Sequence, residues 1–487
     1  MQYSLENSVL PIHKRSKLFI VYLFALLVPH ILFYSLITNL HNVTISFAFL
    51  ILYTFLMTFL FIERFDATIY LLYHLVFLLT FQNVLVGIGM GIFENQESGF
   101  NIKMLMIFKE VFAIIFVSLL YIRYQKSLHL LKFEKTFPLL VLWLGISFLI
   151  SSANMEGKLY YMRSFGILFV SYFLGRLLYY SLRQSVDKIY NVIKMVVFLG
   201  ILSVIFGIVF LLIDNNSHIW KEWFHLGYIM QAKGTAYTDF PDFRTSVGPM
   251  YIYRMYSFFF DAINLSYFVL AAFCCTLFIK SKMMVGVRFF LLIGIGLTLG
   301  KGALAILAIL TFWIVCLYNF KLKPKQFITF FVSFIFVAFF VIKGIGIKSS
   351  IIVHFDGFIL PLLDSYLHPI GFGVGNGGVY YAMMNEVVAW DITHMGAESF
   401  MGSLIYQLGY PGFILYLVFF IGLIKYLLTF AYSTSKISFD YILYSGLIFS
   451  MMTVSFFQEA TLGLNYTGIL TILCGFAVSR IQSPIEK

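Results

Sequence analysis

The chain has 487 residues, of which 61% are hydrophobic, 20% aromatic and only 11% charged; its net charge is +11 and its mean hydropathy +0.92. Soluble domains are about 45–50% apolar and about 25% charged, so a soluble multidomain protein is excluded, because that much apolar surface could not be kept from water. Disordered chains are poor in aromatics and rich in charge, and a membrane β-barrel needs ~10-residue alternating segments; this sequence has neither character. An all-α polytopic membrane protein remains, read as a single integral membrane domain over 1–487.

The first basic cluster, His13, Lys14, Arg15 and Lys17, precedes an apolar run from Leu18 to Leu40. That run is too long for a signal-peptide core and no small-residue cleavage site follows, so it reads as an uncleaved first span with a cytoplasmic N-terminus. Further spans are expected at 43–62, 68–93, 104–122, 137–151, 160–180 and 189–213, completing an N-terminal bundle over 1–213. An outer loop over 214–255 follows. Within it, Ile219-Trp220-Lys221-Glu222-Trp223-Phe224-His225-Leu226 mixes Trp with charge and reads as a short interfacial helix. Spans at 256–279, 286–300, 302–320 and 326–345 lead to a large, glycine-rich outer loop at 346–401. The C-terminal region, 402–487, holds spans at 402–424, 438–456 and 464–480, which brings the number of expected spans to fourteen.

Parity decides how residues 286–320 cross. Lys280, Lys282 and Arg288 lie before this stretch and Lys321, Lys323 and Lys325 after it, and both clusters favour the cytoplasm. An even number of crossings is needed, so the stretch divides at Gly300-Lys301-Gly302 and Lys301 lies at the outer face. Each half then rises only about 22 Å at 1.5 Å per residue, short for a membrane. Short, glycine-interrupted spans bring polar groups partway into the bilayer. The basic excess is thus topological, with both termini cytoplasmic, and nucleic acid is not an expected partner. Cys274, Cys275, Cys316 and Cys474 all sit in apolar runs, which argues against a disulfide framework or a zinc site.

Both long segments fall on the outer side, and loops beyond about 12–15 residues tend to be functional. Arg254 starts one span, with Asp261 and Asn264 about two and three turns further in. Arg254 is either an arginine snorkelling to headgroups or part of an anion site, since guanidinium offers five fixed donors matched to phosphate oxygens. Lys301 is either a solvated turn residue or a cation held at membrane depth. His394 and Glu398 are four residues apart and would share a face if the stretch is helical. They mark either an exposed helix start or a general base for a hydroxyl nucleophile, with Asp391 a third candidate. His368-Pro369-Ile370-Gly371-Phe372-Gly373-Val374-Gly375-Asn376-Gly377 is not a dinucleotide fingerprint, because no βαβ unit surrounds it; its glycines suit tight backbone packing. No Asp-x-Asp pair occurs, and no outer cluster has metal-ligand spacing.

Taken in order, four segments resemble the bacterial O-antigen polymerase and O-antigen ligase superfamily. They are Arg254 with Asp261 and Asn264; Thr298-Leu-Gly-Lys301-Gly-Ala-Leu-Ala; His368-Pro-Ile-Gly371-Phe-Gly373-Val-Gly375; and Glu398-Ser-Phe-Met-Gly-Ser-Leu-Ile-Tyr-Gln-Leu-Gly409-Tyr-Pro-Gly412. The resemblance covers about residues 250–425. Lys301 stands where the family usually has arginine, and Glu398 where the ligases have histidine. The resemblance implies a metal-independent, cofactor-free C-type glycosyltransferase in the bacterial cytoplasmic membrane. Its donor and acceptor would be polyprenyl-diphosphate-linked oligosaccharides, with lipid A–core as acceptor in a ligase. A chain-length regulator and a flippase would be pathway partners. Arg254 and Lys301 would hold the diphosphate, with Asp261, Asn264 and Asp391 in secondary roles, and His394 or Glu398 would act on the acceptor hydroxyl. A lipid-linked oligosaccharide flippase is the main reading outside this family; the lack of a two-half repeat argues against it.

Overall fold

The computed structural model describes residues 43–63, 68–93, 106–183, 187–213, 219–225, 244–247, 250–259, 262–329, 331, 350–384, 393–433, 437–459 and 463–483. The span expected at 18–40, most of that at 326–345, and the candidate residues Asp261 and Asp391 lie outside the described residues.

The described chain is dominated by helices. The N-terminal half holds α1 (Val43–Glu63), α2 (Thr68–Phe93), α3 (Phe108–Tyr124), α4 (Thr136–Ile150), α5 (Met155–Ser181) and α6 (Asp187–Ile213). The C-terminal half holds α7 (Ala262–Leu277), α8 (Met283–Thr298), α9 (Lys301–Ile314), α10 (Ser350–Asp364), α11 (Gly378–Met384), α12 (Phe400–Ala431), α13 (Phe439–Ser455) and α14 (Ile469–Gln482). A π-helical turn, Val315–Asn319, prolongs α9, and another, Leu464–Gly468, leads into α14. Thr68–Gly87, Asp187–Ile213, Lys301–Asn319 and Phe400–Ala431 are each long and apolar enough to cross a membrane. Several shorter apolar helices, among them α4, α7, α8 and α13, pack with them, and α14 packs against α5. Leu149 on α4 is 81% exposed and Leu212 on α6 75% exposed; apolar surface left open in this way suits lipid rather than water. The chain is an all-α membrane protein.

Small residues set a close crossing between α5 and α14. On α5, a Cβ at Gly175 would strike the backbone of Ile472, and on α14, a Cβ at Gly475 would strike the backbone of Tyr172. The two helices therefore touch backbone to backbone, as small residues permit between membrane helices. Gly175→Ala should push α5 and α14 apart and cost about 1–3 kcal/mol through overpacking. A lowered melting temperature in detergent checks this; an unchanged one would mean that the crossing is looser than described. Beside the crossing, Phe169 of α5 packs against Phe137, Tyr416 and Phe419, joining α4, α5 and α12 in one aromatic core.

Next to this crossing lies a buried charge cluster. Arg176 is fully buried. Its Nε donates to Ser479 Oγ at 2.7 Å, its Nη2 to the His129 carbonyl at 3.1 Å, and its Nη1 to the carboxylate of Glu134. Glu134 also accepts from Tyr172 Oη at 2.6 Å and from Leu131 N at 2.7 Å. The pair fixes the α3–α4 connection to α5 and the end of α14.

Two segments differ from expectation. The stretch read as an interfacial helix is a π-helical turn over Ile219–Trp223. Trp220 is fully buried there, donating Nε1 to the Ser257 carbonyl at 2.9 Å, whereas Trp223 is exposed. A partner for the indole N–H inside the protein outweighs a place at the headgroups. The segment read as a large loop at 346–401 contains α10 and α11. In addition, β1 (Arg244–Val247) and β2 (Met250–Tyr253) form an antiparallel hairpin with Arg244 opposite Tyr253.

Candidate functional site

The division between α8 and α9 falls at the glycines. α8 ends at Thr298, Leu299 takes the left-handed conformation (φ 50°), Gly300 is extended, and α9 begins at Lys301. A Cβ at Gly300 would overlap the side chain of Ser266, and one at Gly302 would overlap Tyr267 Oη and Gln458 Oε1. The glycines thus let the turn lie flat against α7. Helix ends leave carbonyls without partners, and Arg254 uses one: its Nε donates to the Thr298 carbonyl at 3.0 Å, while Met255 N donates to the Leu297 carbonyl at 3.0 Å. The hairpin ends at Tyr253, so it delivers Arg254 directly to this turn. Arg254 is half-buried and Lys301 exposed.

A second break, in α12, anchors the glycine loop. Gly409 has φ 63° and ψ −166°, and Pro411 follows within the helix. The carbonyls freed around the break are taken up by the loop: Phe372 N donates to Tyr406 O and Gly373 N to Gln407 O, both at 2.9 Å. In return Tyr410 N donates to Pro369 O at 2.9 Å, and Gln407 Oε1 accepts from Gly375 N at 2.7 Å. Gly373 has φ 88°, and a Cβ there would overlap Ser151. The loop then turns into α11, where Val379 N donates to Glu459 Oε2 at 3.2 Å and Tyr380 N to Tyr161 Oη at 3.1 Å. Gly373→Ala combines a left-handed position with a steric overlap and should release the loop. Faster proteolysis between 368 and 378 would show it; unchanged protection would contradict this anchoring.

These elements surround a cavity of about 440 Å³, within the ~300–1,000 Å³ of ordinary ligand sites. Its wall comes from the first turns of α3 and α7, from the second to fourth turns of α5, from Asn83 of α2, from the π-helical turn before α14, and from the segments around Glu398 and Gln458-Glu459. Charged side chains on it are Lys109, Glu110, Arg163, Glu398 and Glu459, and amides are Asn83, Asn264, Gln458 and Asn465. Glu110 Oε1 lies 3.8 Å from Arg163 and 4.0 Å from Lys109. Arg163 stands over the Tyr160 ring at 5.0 Å, and Tyr160 stacks on Tyr380 with centroids 4.3 Å apart and planes within 9°. So many polar groups among apolar helices are costly unless they serve a ligand or one another.

Glu459 lies in the connection between α13 and α14. Burial pushes its carboxyl up to about 7; the hydrogen bonds from Tyr161 Oη, at 2.9 Å, and Val379 N oppose the rise, and the charge of Glu398 adds to it. A carboxyl that changes protonation near neutrality is suited to taking up and returning a proton.

Of the expected site residues, Asn264 and Glu398 line this cavity. Arg254 bonds the last turn of α8 and Lys301 opens α9 across the turn, and neither lines the cavity; Gln458, against which Gly302 packs, links the turn to its wall. His394 and Glu398 do not share a helix face. Residues 395–398 form a turn with Gly396 at φ 78° and Glu398 at φ 71°, which sends the two side chains apart. His394 Nδ1 pairs with Asp364 Oδ2 at 2.9 Å, away from the cavity wall, and Glu398 Oε2 lies 3.4 Å from His354 Nδ1. Sequence reasoning missed Lys109, Glu110, Arg163, Gln458 and Glu459. Charge within the spans expected at 104–122 and 160–180 was the available signal; for Gln458-Glu459 it was the polar pair between two apolar runs. Among the described residues, no group of three or more His, Cys, Asp and Glu side chains is placed to hold a metal ion.

The chain matches no family model, no curated protein and no solved structure.

Proposed function

We propose that this protein is a glycosyltransferase that joins polyprenyl-diphosphate-linked oligosaccharide repeat units into a surface polysaccharide, O-antigen-like or capsule-like. It would act on the outer face of the bacterial cytoplasmic membrane, with both termini cytoplasmic. The observation that supports this most is the polar cavity set among lipid-suited helices. Its amides and carboxylates match sugar hydroxyls, which both donate and accept. A polyprenyl chain needs an apolar path beside such a cavity, and the bundle supplies apolar surface.

In this reading the cavity takes the reacting sugars and the α8–α9 turn takes the donor diphosphate. The acceptor hydroxyl oxygen attacks the anomeric carbon of the donor. The carbon–oxygen bond to the diphosphate breaks, and both electrons leave with the phosphate oxygen. Arg254 and Lys301 stabilise that leaving charge. The hydroxyl proton passes to a carboxylate on the cavity wall. Glu459 is better suited to this than His394, because it lines the cavity and changes charge near neutrality; Glu398 lies on the same wall and orients the acceptor.

The assignment of the diphosphate is tested by Arg254→Ala and Lys301→Ala. Each should lower polymer formation about 100-fold at equal expression, the scale for loss of one donor to developing charge. Lys301→Arg, which keeps the charge, should retain most of it. Unchanged polymer in both alanine variants would overturn the assignment.

A further inference from the structure

A second, smaller cavity of about 160 Å³ lies beside the first, lined by Ser152, Asn154, Gly375, Asn376, Tyr380 and Tyr381 among others. The two cavities share the stacked tyrosine pair, since Tyr160 lines the larger and Tyr380 the smaller. Its floor is tied down: Asn376 Nδ2 donates to the Phe372 carbonyl at 2.6 Å and to Ser151 Oγ at 3.2 Å, and Ser152 Oγ donates to Asn376 Oδ1 at 3.4 Å. Asn154 caps α5 through its Oδ1, which accepts from Gly157 N at 2.7 Å, so its amide nitrogen is not used by the cap.

The lining decides the class of ligand. None of its side chains is charged, so a phosphate would find no cation there. Hydroxyls, amides and tyrosine rings predominate, so an acyl chain is poorly matched as well. The volume is below the ~300 Å³ at which whole small ligands are usually enclosed, which suits one part of a longer molecule. We infer that this cavity is a second saccharide subsite, holding a neutral sugar of the same glycan whose reacting end occupies the larger cavity, with the Tyr160–Tyr380 pair as the shared wall between them. The inference rests on the reading that the larger cavity takes a glycan. It makes the protein sensitive to glycan length, because a short glycan fills the first cavity alone.

The test is calorimetric titration of the purified full-length protein with free, lipid-less synthetic glycans of one, two and three repeat units. Two variants accompany it: Ser152→Phe, which fills the cavity from an exposed position, and Tyr381→Ala, which widens it. Wild type should bind the longer glycans about tenfold more tightly than the shortest, the effect of one good polar or stacking contact. Both variants should lose that gain, keep the affinity for the shortest glycan and elute as wild type in gel filtration. Binding that does not depend on length, or a gain that persists in both variants, would overturn the subsite. The wild type is assayed for polymer in parallel. Polymer formation with the gain unaffected rejects the subsite alone. A gain lost in both variants without polymer formation rejects the polymerase reading and leaves the subsite standing.

Discussion

Glu459→Gln should reduce polymer formation by at least about 100-fold, the lower end of what positioned acid–base groups contribute, with the protein still folded. The substitution keeps the size and one acceptor oxygen for Val379 N, offers Tyr161 Oη an NH2 donor in place of the second acceptor, and removes the charge and the ability to exchange a proton. In wild type, the rate should rise about tenfold per pH unit below about 7 and level off above it, following ionisation of Glu459. The same substitution has a stability signature of opposite sign. The folded-state value of about 7 lies above the ordinary 4.5, so the folded protein holds this proton more tightly than the unfolded chain does. Stability from this group is therefore present below 4.5, is lost as pH rises to about 7, and stays lost above that. Glu459→Gln should accordingly melt higher than wild type at pH 8, with the advantage fading at pH 5. A residue that serves only structure would not lose activity while gaining stability. Retained polymer formation in Glu459→Gln would remove Glu459 from the chemistry.

The largest stability effect is expected at Arg176. Arg176→Ala leaves Glu134 buried without its guanidinium partner, and breaking a buried pair from one side costs about 3–5 kcal/mol. Glu134→Leu should also be severe, because Arg176 then loses its carboxylate while remaining sealed between α5 and α14. The double variant Arg176→Met with Glu134→Leu should recover most of the loss, since replacing both charges avoids the lone buried ion. Melting temperatures in detergent for the three variants check this. Equal damage in single and double variants would mean that Ser479, His129 and Tyr172 depend on the charges themselves and not on packing.

The helical architecture was legible because apolar run length is a strong local signal: α2, α6, α9 and α12 lie where uninterrupted apolar stretches are written in the chain. The α8–α9 turn was legible for a different reason: the basic clusters on either side require an even number of crossings, and Gly300 and Gly302 bracket a lone lysine inside the apolar run. The hairpin at 244–253 had a local signal that went unused, Gly248-Pro249 between two β-prone tetrads. The cavity was much less legible. Lys109, Arg163, Asn264, Glu398 and Glu459 are far apart in sequence and meet only because several helices and connections surround one space. The pairing of His394 with Glu398 assumed helical spacing across Gly396, and a left-handed glycine breaks that register.

Reconstitution separates polymer formation from transport. The purified protein in vesicles receives one substrate, a synthetic polyprenyl-diphosphate oligosaccharide, without added metal, and the glycan products are separated on a gel. A ladder of successive repeat-unit lengths is expected, with released polyprenyl diphosphate in proportion to the bonds formed. Unextended glycan from folded protein would contradict it, and movement of intact substrate across the vesicle membrane in the same preparation would identify a flippase instead.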